Sequence, residues 1–165
     1  MQADRLRAPA QAILDRYPNL RTAFVSGSDG QALQVVVDRL EVPWREVDLT
    51  GLPEAERAEE LRRQLAADRA TKFDMSVAPL VRFTLFRTHA EQWHMAIATH
   101  HVLIDGWSMP LLLRDLLVLY ATRGDLAELP QVTSYRSFLD WLAERDAASS
   151  LRTWAQALDG VGERW

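Results

Sequence analysis

Cysteine is absent from this sequence of 165 residues, which excludes disulfides, thiol nucleophiles and cysteine zinc sites and fits a cytoplasmic protein. Lysine occurs once, at Lys72, so nearly all the basic charge is arginine, and the net charge is −4. That balance argues against nucleic acid as an electrostatically captured partner. No run of 18 or more apolar residues is present, and Met1-Gln-Ala-Asp-Arg5 has no long apolar core; a membrane span and a secretion signal are not expected. Nor is there a G-x-S-x-G elbow, which removes the commonest setting for a serine nucleophile. Low-complexity tracts, internal repeats and a convincing linker are lacking too.

What remains is a chain with 48% hydrophobic and 25% charged residues, long enough to bury a sizeable core as one domain-sized piece. Apolar spacing predicts a helix over 4–16, with Pro18 at its end. Arg21–Ser26 and Gln31–Asp38 flank Gly27-Ser-Asp-Gly30 and read as a hairpin. Pro43–Val47 suits a short edge strand, and Pro53-Glu54 opens a charged helix to about Ala70. Leu80–Arg87 and Gln92–His100 read as a second hairpin, followed by helices near 108–122, 133–146 and 148–159. Interleaved strands and helices point to an α/β layered lobe, a mixed sheet flanked by helices.

The most informative stretch is Thr99-His-His-Val-Leu-Ile-Asp-Gly-Trp-Ser108. It follows an apolar run of strand length, Gln92-Trp-His-Met-Ala-Ile-Ala-Thr99, so alternation should send His100 and His101 to opposite sides. Imidazole changes charge near neutral pH, and the member facing a substrate channel can take a proton from an attacking amine or hydroxyl. Asp105 and Gly106 mark a turn in which glycine permits a sharp bend or positive φ. Ser108 reads as the N-cap of the next helix, with Pro110 in its first turn. A serine hydrolase is disfavoured because Ser108 looks like that cap. A metal site is disfavoured because adjacent strand histidines diverge and no further His or Cys completes a shell. His94 shares the parity of His100 and reads as an ordinary strand histidine, and His89 sits in a turn.

The complete pattern His100-His101-Val-Leu-Ile-Asp105-Gly106 resembles the HHxxxDG signature of nonribosomal peptide synthetase condensation domains, which have a chloramphenicol-acetyltransferase-like fold. The flanking sequence agrees in order. Asp15-Arg16-Tyr17-Pro18-Asn19-Leu20-Arg21-Thr22-Ala23-Phe24 resembles the family's RHPxLRTxF segment, with tyrosine in place of histidine at 17. Trp44-Arg-Glu-Val-Asp48-Leu-Thr-Gly-Leu52 resembles its DLSGL segment. Lys72-Phe73-Asp74 with Pro79-Leu80-Val-Arg82 resembles its PFDL and PLLR segments, with lysine in place of proline at 72. Ser134-Tyr135-Arg-Ser-Phe138-Leu-Asp-Trp141 and Trp154-Ala-Gln-Ala-Leu158 are similar to the family's segment beyond the motif, so the resemblance spans roughly residues 6–160. Within the resemblance, Asp105-Gly-Trp-Ser-Met109 favours the peptide-bond-forming type over the cyclising type, whose signature carries aspartate in place of the first two histidines.

The resemblance implies that residues 1–165 are the N-terminal lobe of a two-lobed domain, without the family's first strand and its motif and without the C-terminal lobe. It implies an acyltransferase that joins a donor aminoacyl or peptidyl thioester to an acceptor aminoacyl amine. Both are carried on phosphopantetheine arms of partner carrier proteins, and no metal or tightly bound cofactor is needed. By the same resemblance His101 is catalytic, His100 structural, and Asp105 a buried carboxylate paired with Arg21; Arg16 either assists nearby or is a solvated arginine at the helix end. Gly106 is expected to serve backbone geometry and to leave room for substrate. Trp107 and Ser108 are candidate tunnel lining, with packing on the next helix the favoured reading for Trp107. The alternatives are another HHxxxDG acyltransferase, an inactive lobe, or a module that docks a carrier protein or a missing partner lobe through an exposed apolar patch.

Overall fold

A computed structural model describes residues 4–161. Two compact units divide the chain, Met1–Val132 and Thr133–Trp165. The first opens with α1 (Asp4–Arg16), and a short 3-10 turn over Pro18–Arg21 leads into β1 (Thr22–Ser26) and β2 (Ala32–Val36). These strands pair antiparallel as the Gly27–Gly30 turn predicts, and Gly30 has the positive φ of 79° that a glycine supplies without strain.

A second sheet has the order β3-β4-β5, built from β3 (Trp44–Asp48), β4 (Val81–Arg87) and β5 (Trp93–Thr99). β3 runs parallel to β4, whereas β4 and β5 form an antiparallel hairpin. The parallel pair is joined through α2 (Glu54–Ala70), the crossover that a parallel connection requires. α3 (Ser108–Ala121) comes after the sheet.

β4 lies at the centre, and its Phe83, Thr84, Leu85 and Phe86 are all buried, as expected for a strand covered on both faces. Val81 and Phe83 enter the main core with Ile13 and Leu14 of α1 and Leu112, Leu116 and Leu119 of α3. The opposite face meets α2. There the Arg82 guanidinium donates to the Asp68 carboxylate at 2.8 Å and to the Thr71 carbonyl at 3.0 Å, and it stacks over the Phe73 ring at 4.3 Å.

The second unit holds α4 (Tyr135–Ala143) and α5 (Ala147–Ala157), capped by the Ser134 hydroxyl and the Asp146 carboxylate respectively. Along α4 the rings of Tyr135, Phe138 and Trp141 stack in succession at 5.7 and 5.8 Å.

Candidate active-site loop

The histidine pair lies past the end of β5 rather than within it. β5 stops at Thr99, and the His100 N–H extends the ladder by one bond, to the Leu80 carbonyl at 3.0 Å. The chain then turns, closed by the Leu103 N–H on the His100 carbonyl at 3.0 Å. Strand alternation therefore does not govern the two side chains, and both His100 and His101 are among the residues that border one cleft. His100 is partly buried: its Nδ1 accepts the Val102 N–H at 3.1 Å, which leaves the proton on Nε2, and its ring meets the edge of Phe73. His101 is exposed, and among the described residues no group hydrogen-bonds its imidazole.

The cleft, of about 830 Å³, runs between α2 and β5. Ala96 and Ala98 stand opposite Thr84 and Arg82 across the hairpin, so they share the face toward α2, where their small side chains leave space. Leu65 and Phe73 add apolar wall, while Arg69 and Lys72 bring positive charge. Asp68, Arg82 and Thr71 add polar groups, and His100 and His101 are among the residues that border this cleft of mixed character.

Asp105 does not occupy the place expected of it. Its carboxylate is exposed and accepts the Ser108 N–H at 2.8 Å and the Ser108 hydroxyl at 2.7 Å, while the Met109 N–H reaches its carbonyl at 3.3 Å. Trp107, not Ser108, stands at the N-cap position of α3 and caps nothing with its side chain, while the Asp105 carboxylate bonds the first helical N–H from outside the helix. The expected pairing of Asp105 with Arg21 is absent for a geometric reason. Arg21, only 9% exposed, spends its guanidinium on the carbonyls of Leu14, Asp15 and Val37, tying the end of α1 to the exit of β2.

The Ser108 hydroxyl, then its N–H, hold the Asp105 carboxyl below its usual range. A folded-state value below the unfolded one means that these bonds are complete above the ordinary aspartate value and are lost as pH falls through the depressed one. The Asp105 carboxyl carbon and the Ser108 amide proton should therefore titrate together in NMR spectra, with a midpoint below about 3.9. A midpoint at or above that value would contradict the bonds to Ser108.

The remaining candidates divide. Arg16 reaches the Pro130 carbonyl and lies over the Tyr17 ring, so it braces a distant loop instead of the motif. Gly106 has no positive φ, and a Cβ there would meet nothing within 4 Å, so backbone geometry does not demand glycine. Trp107 is 87% exposed rather than packed on α3. It lies one turn before Leu111, on the face opposite the buried Leu112, Leu116 and Leu119. Ser108 is held by Asp105. Sequence reasoning passed over Phe73 and Arg82 as site residues, although both stand in the segments matched around Lys72 and Pro79. It also missed Asn19, whose amide donates to the Leu103 carbonyl inside the motif.

A family model described as Condensation domain matches residues 1–164. The chain belongs to the condensation-domain family. It is 35% identical to a linear gramicidin synthase of Brevibacillus parabrevis over 155 residues, which is 93% of this chain and 3% of that one. Surfactin synthase subunit 3 of Bacillus subtilis (strain 168) is 28% identical over 157 residues, covering 94% of this chain and 12% of its own length. This condensation-family chain therefore spans a small part of the curated relatives it matches.

Among solved structures, the SgcC5 protein from Streptomyces globisporus aligns with a TM-score of 0.79 and 27% identity, over 97% of this chain and 37% of that one. The starter condensation domain of rhizomide synthetase RzmA aligns with a TM-score of 0.82 and 19% identity, over 99% and 40%. The expected α/β layered lobe of the chloramphenicol-acetyltransferase-like fold is thus observed.

Proposed function

We propose that this chain is the N-terminal lobe of a condensation domain that forms amide bonds in nonribosomal peptide synthesis. The observation that carries this reading is His101, exposed, with an imidazole that has no hydrogen-bond partner among the described residues, bordering the cleft beside α2 in a chain of this family. The acceptor amine attacks the thioester carbonyl of the donor; the C–N bond forms, the C–S bond breaks, and the donor arm leaves as a thiol. His101 hydrogen-bonds the attacking amine and takes up the proton that is finally transferred to the sulfur. His100 holds the turn through its Nδ1, and Asp105 holds the start of α3. Both reactants arrive on phosphopantetheine arms of carrier proteins, and tethering them in one tunnel supplies much of the rate.

On this reading the lobe works together with the rest of a condensation domain. Val102, Leu111 and Trp107, 45, 55 and 87% exposed, lie in or just beyond the motif loop, where the other lobe of a condensation domain would close the tunnel. Dipeptide formation from two loaded carrier proteins tests this, comparing the chain with a version extended to the length of the solved condensation domains. Product from the extended form alone is expected; absence of product from both would overturn the assignment to amide-bond formation.

Gly106 supplies a second test in the same assay. Alanine fits the lobe itself, so Gly106→Ala should leave Tm within about 2 °C of the wild type. In the extended domain it should lower amide formation about tenfold, a barrier rise of about 1.4 kcal/mol, because the added methyl enters space reserved for substrate. Unchanged turnover would show that this space is empty in the working enzyme.

A further inference from the structure

The turn bearing His101 is clamped at both ends, and only one clamp belongs to the β4–β5 hairpin. At the near end the His100 N–H bonds the Leu80 carbonyl of the strand ladder. At the far end is Leu103, whose N–H closes the turn on His100 and whose carbonyl accepts the Asn19 side-chain amide at 2.5 Å. Among the described residues no backbone N–H is bonded to that carbonyl.

Asn19 is itself fixed. It sits in the 3-10 turn beside buried Leu20, whose N–H bonds the Tyr17 carbonyl at 2.9 Å, and its Oδ1 accepts the Gln34 amide of β2 at 3.2 Å. The Leu103 side chain is buried too, but burial of a leucine fixes where the residue lies, not how its peptide plane is turned. A directed carbonyl bond sets that plane.

We infer that Asn19 is the positioning residue for His101, acting through the Leu103 carbonyl and joining the N-terminal hairpin to the motif turn. Its consequence for turnover rests on the function proposed above; its consequence for the turn does not. The next residue but one before it reinforces the brace, since the Tyr17 hydroxyl donates to the buried Asp115 carboxylate on α3, the helix just after the loop. Of the two side chains flanking Pro18, one therefore holds the motif turn and the other holds the helix that follows it.

The test uses three variants of this chain. Asn19→Ala removes both bonds of the amide, Asn19→Asp keeps the acceptor for Gln34 but loses the donor to Leu103, and Gln34→Ala removes only the hairpin side. Amide exchange at Val102 and Leu103 should speed up tenfold or more in both Asn19 variants, with shifted His101 ring signals in NMR spectra, while Gln34→Ala leaves the turn as it is. Loosening in Asn19→Ala without Asn19→Asp, or in neither, overturns the inference. In the extended domain Asn19→Asp should lower kcat about tenfold at unchanged KM, and a KM effect with intact kcat counts equally against it. Failure of the wild-type extended domain to make amide sinks the proposed function, yet the exchange measurements still decide the role of Asn19.

Discussion

Replacing His101 by alanine in the extended domain is expected to lower amide formation by about 10²–10⁴-fold, the usual contribution of a positioned proton acceptor. Stability should change little, within about 0.5 kcal/mol, because the imidazole is exposed and nothing among the described residues hydrogen-bonds it. The neighbouring histidine should behave in the opposite sense. His100→Ala leaves the Val102 N–H without its Nδ1 acceptor and removes the ring that meets Phe73, so Tm falls along with turnover. The contrast separates a reacting group from a structural one although the two are adjacent in sequence. A His101→Ala rate within tenfold of the wild type would remove this imidazole from the reaction and leave positioning of the tethered reactants as the main source of rate.

Arg21→Ala is expected to cost about 3 kcal/mol of folding stability, read as a Tm lower by roughly 6–12 °C. Three carbonyls at the end of α1 and the exit of β2 lose a charged donor at a site that is 9% exposed, where water replaces it poorly. Lysine should rescue little of this, because one ammonium group cannot reproduce the rigid fork of donors. Asp105→Ala should lower Tm far less, by a few degrees, as loss of exposed bonds at the start of α3. The double variant then distinguishes the two descriptions of this pair. Without contact between the side chains the two Tm losses add; a buried ion pair would make the second loss much smaller than the first. Additive losses are expected.

Most of the architecture was legible because local signals agreed with the fold. Pro18 after an amphipathic run, Gly27–Gly30 between two apolar stretches, and Pro53-Glu54 before a charged run each act within a few residues, and each produced the expected element. The motif loop was read less well, for a reason of range. Its partners are side chains that can choose among several acceptors once the chain is folded. Arg21 found three carbonyls at close quarters and had no use for a distant carboxylate, while Asp105 found the free N–H groups of the helix beginning three residues later. The family pattern thus led to a pairing that the folded loop does not make. Trp107 failed differently: an indole usually seeks cover, yet its position on the turn before Leu111 directs it away from the lobe's own core.

The brace across Pro18 also bears on the order in which the molecule forms. Asn19 and Leu103 are 84 positions apart, and Tyr17 and Asp115 are 98 apart, whereas the β4–β5 hairpin closes over a few residues. Closing long loops carries an entropy cost that local hairpins avoid. On a ribosome, α1 and the first hairpin emerge long before the histidines do. The bonds that brace the motif turn can form only once both segments are present, and a nascent chain stalled before Leu103 has no motif turn to brace.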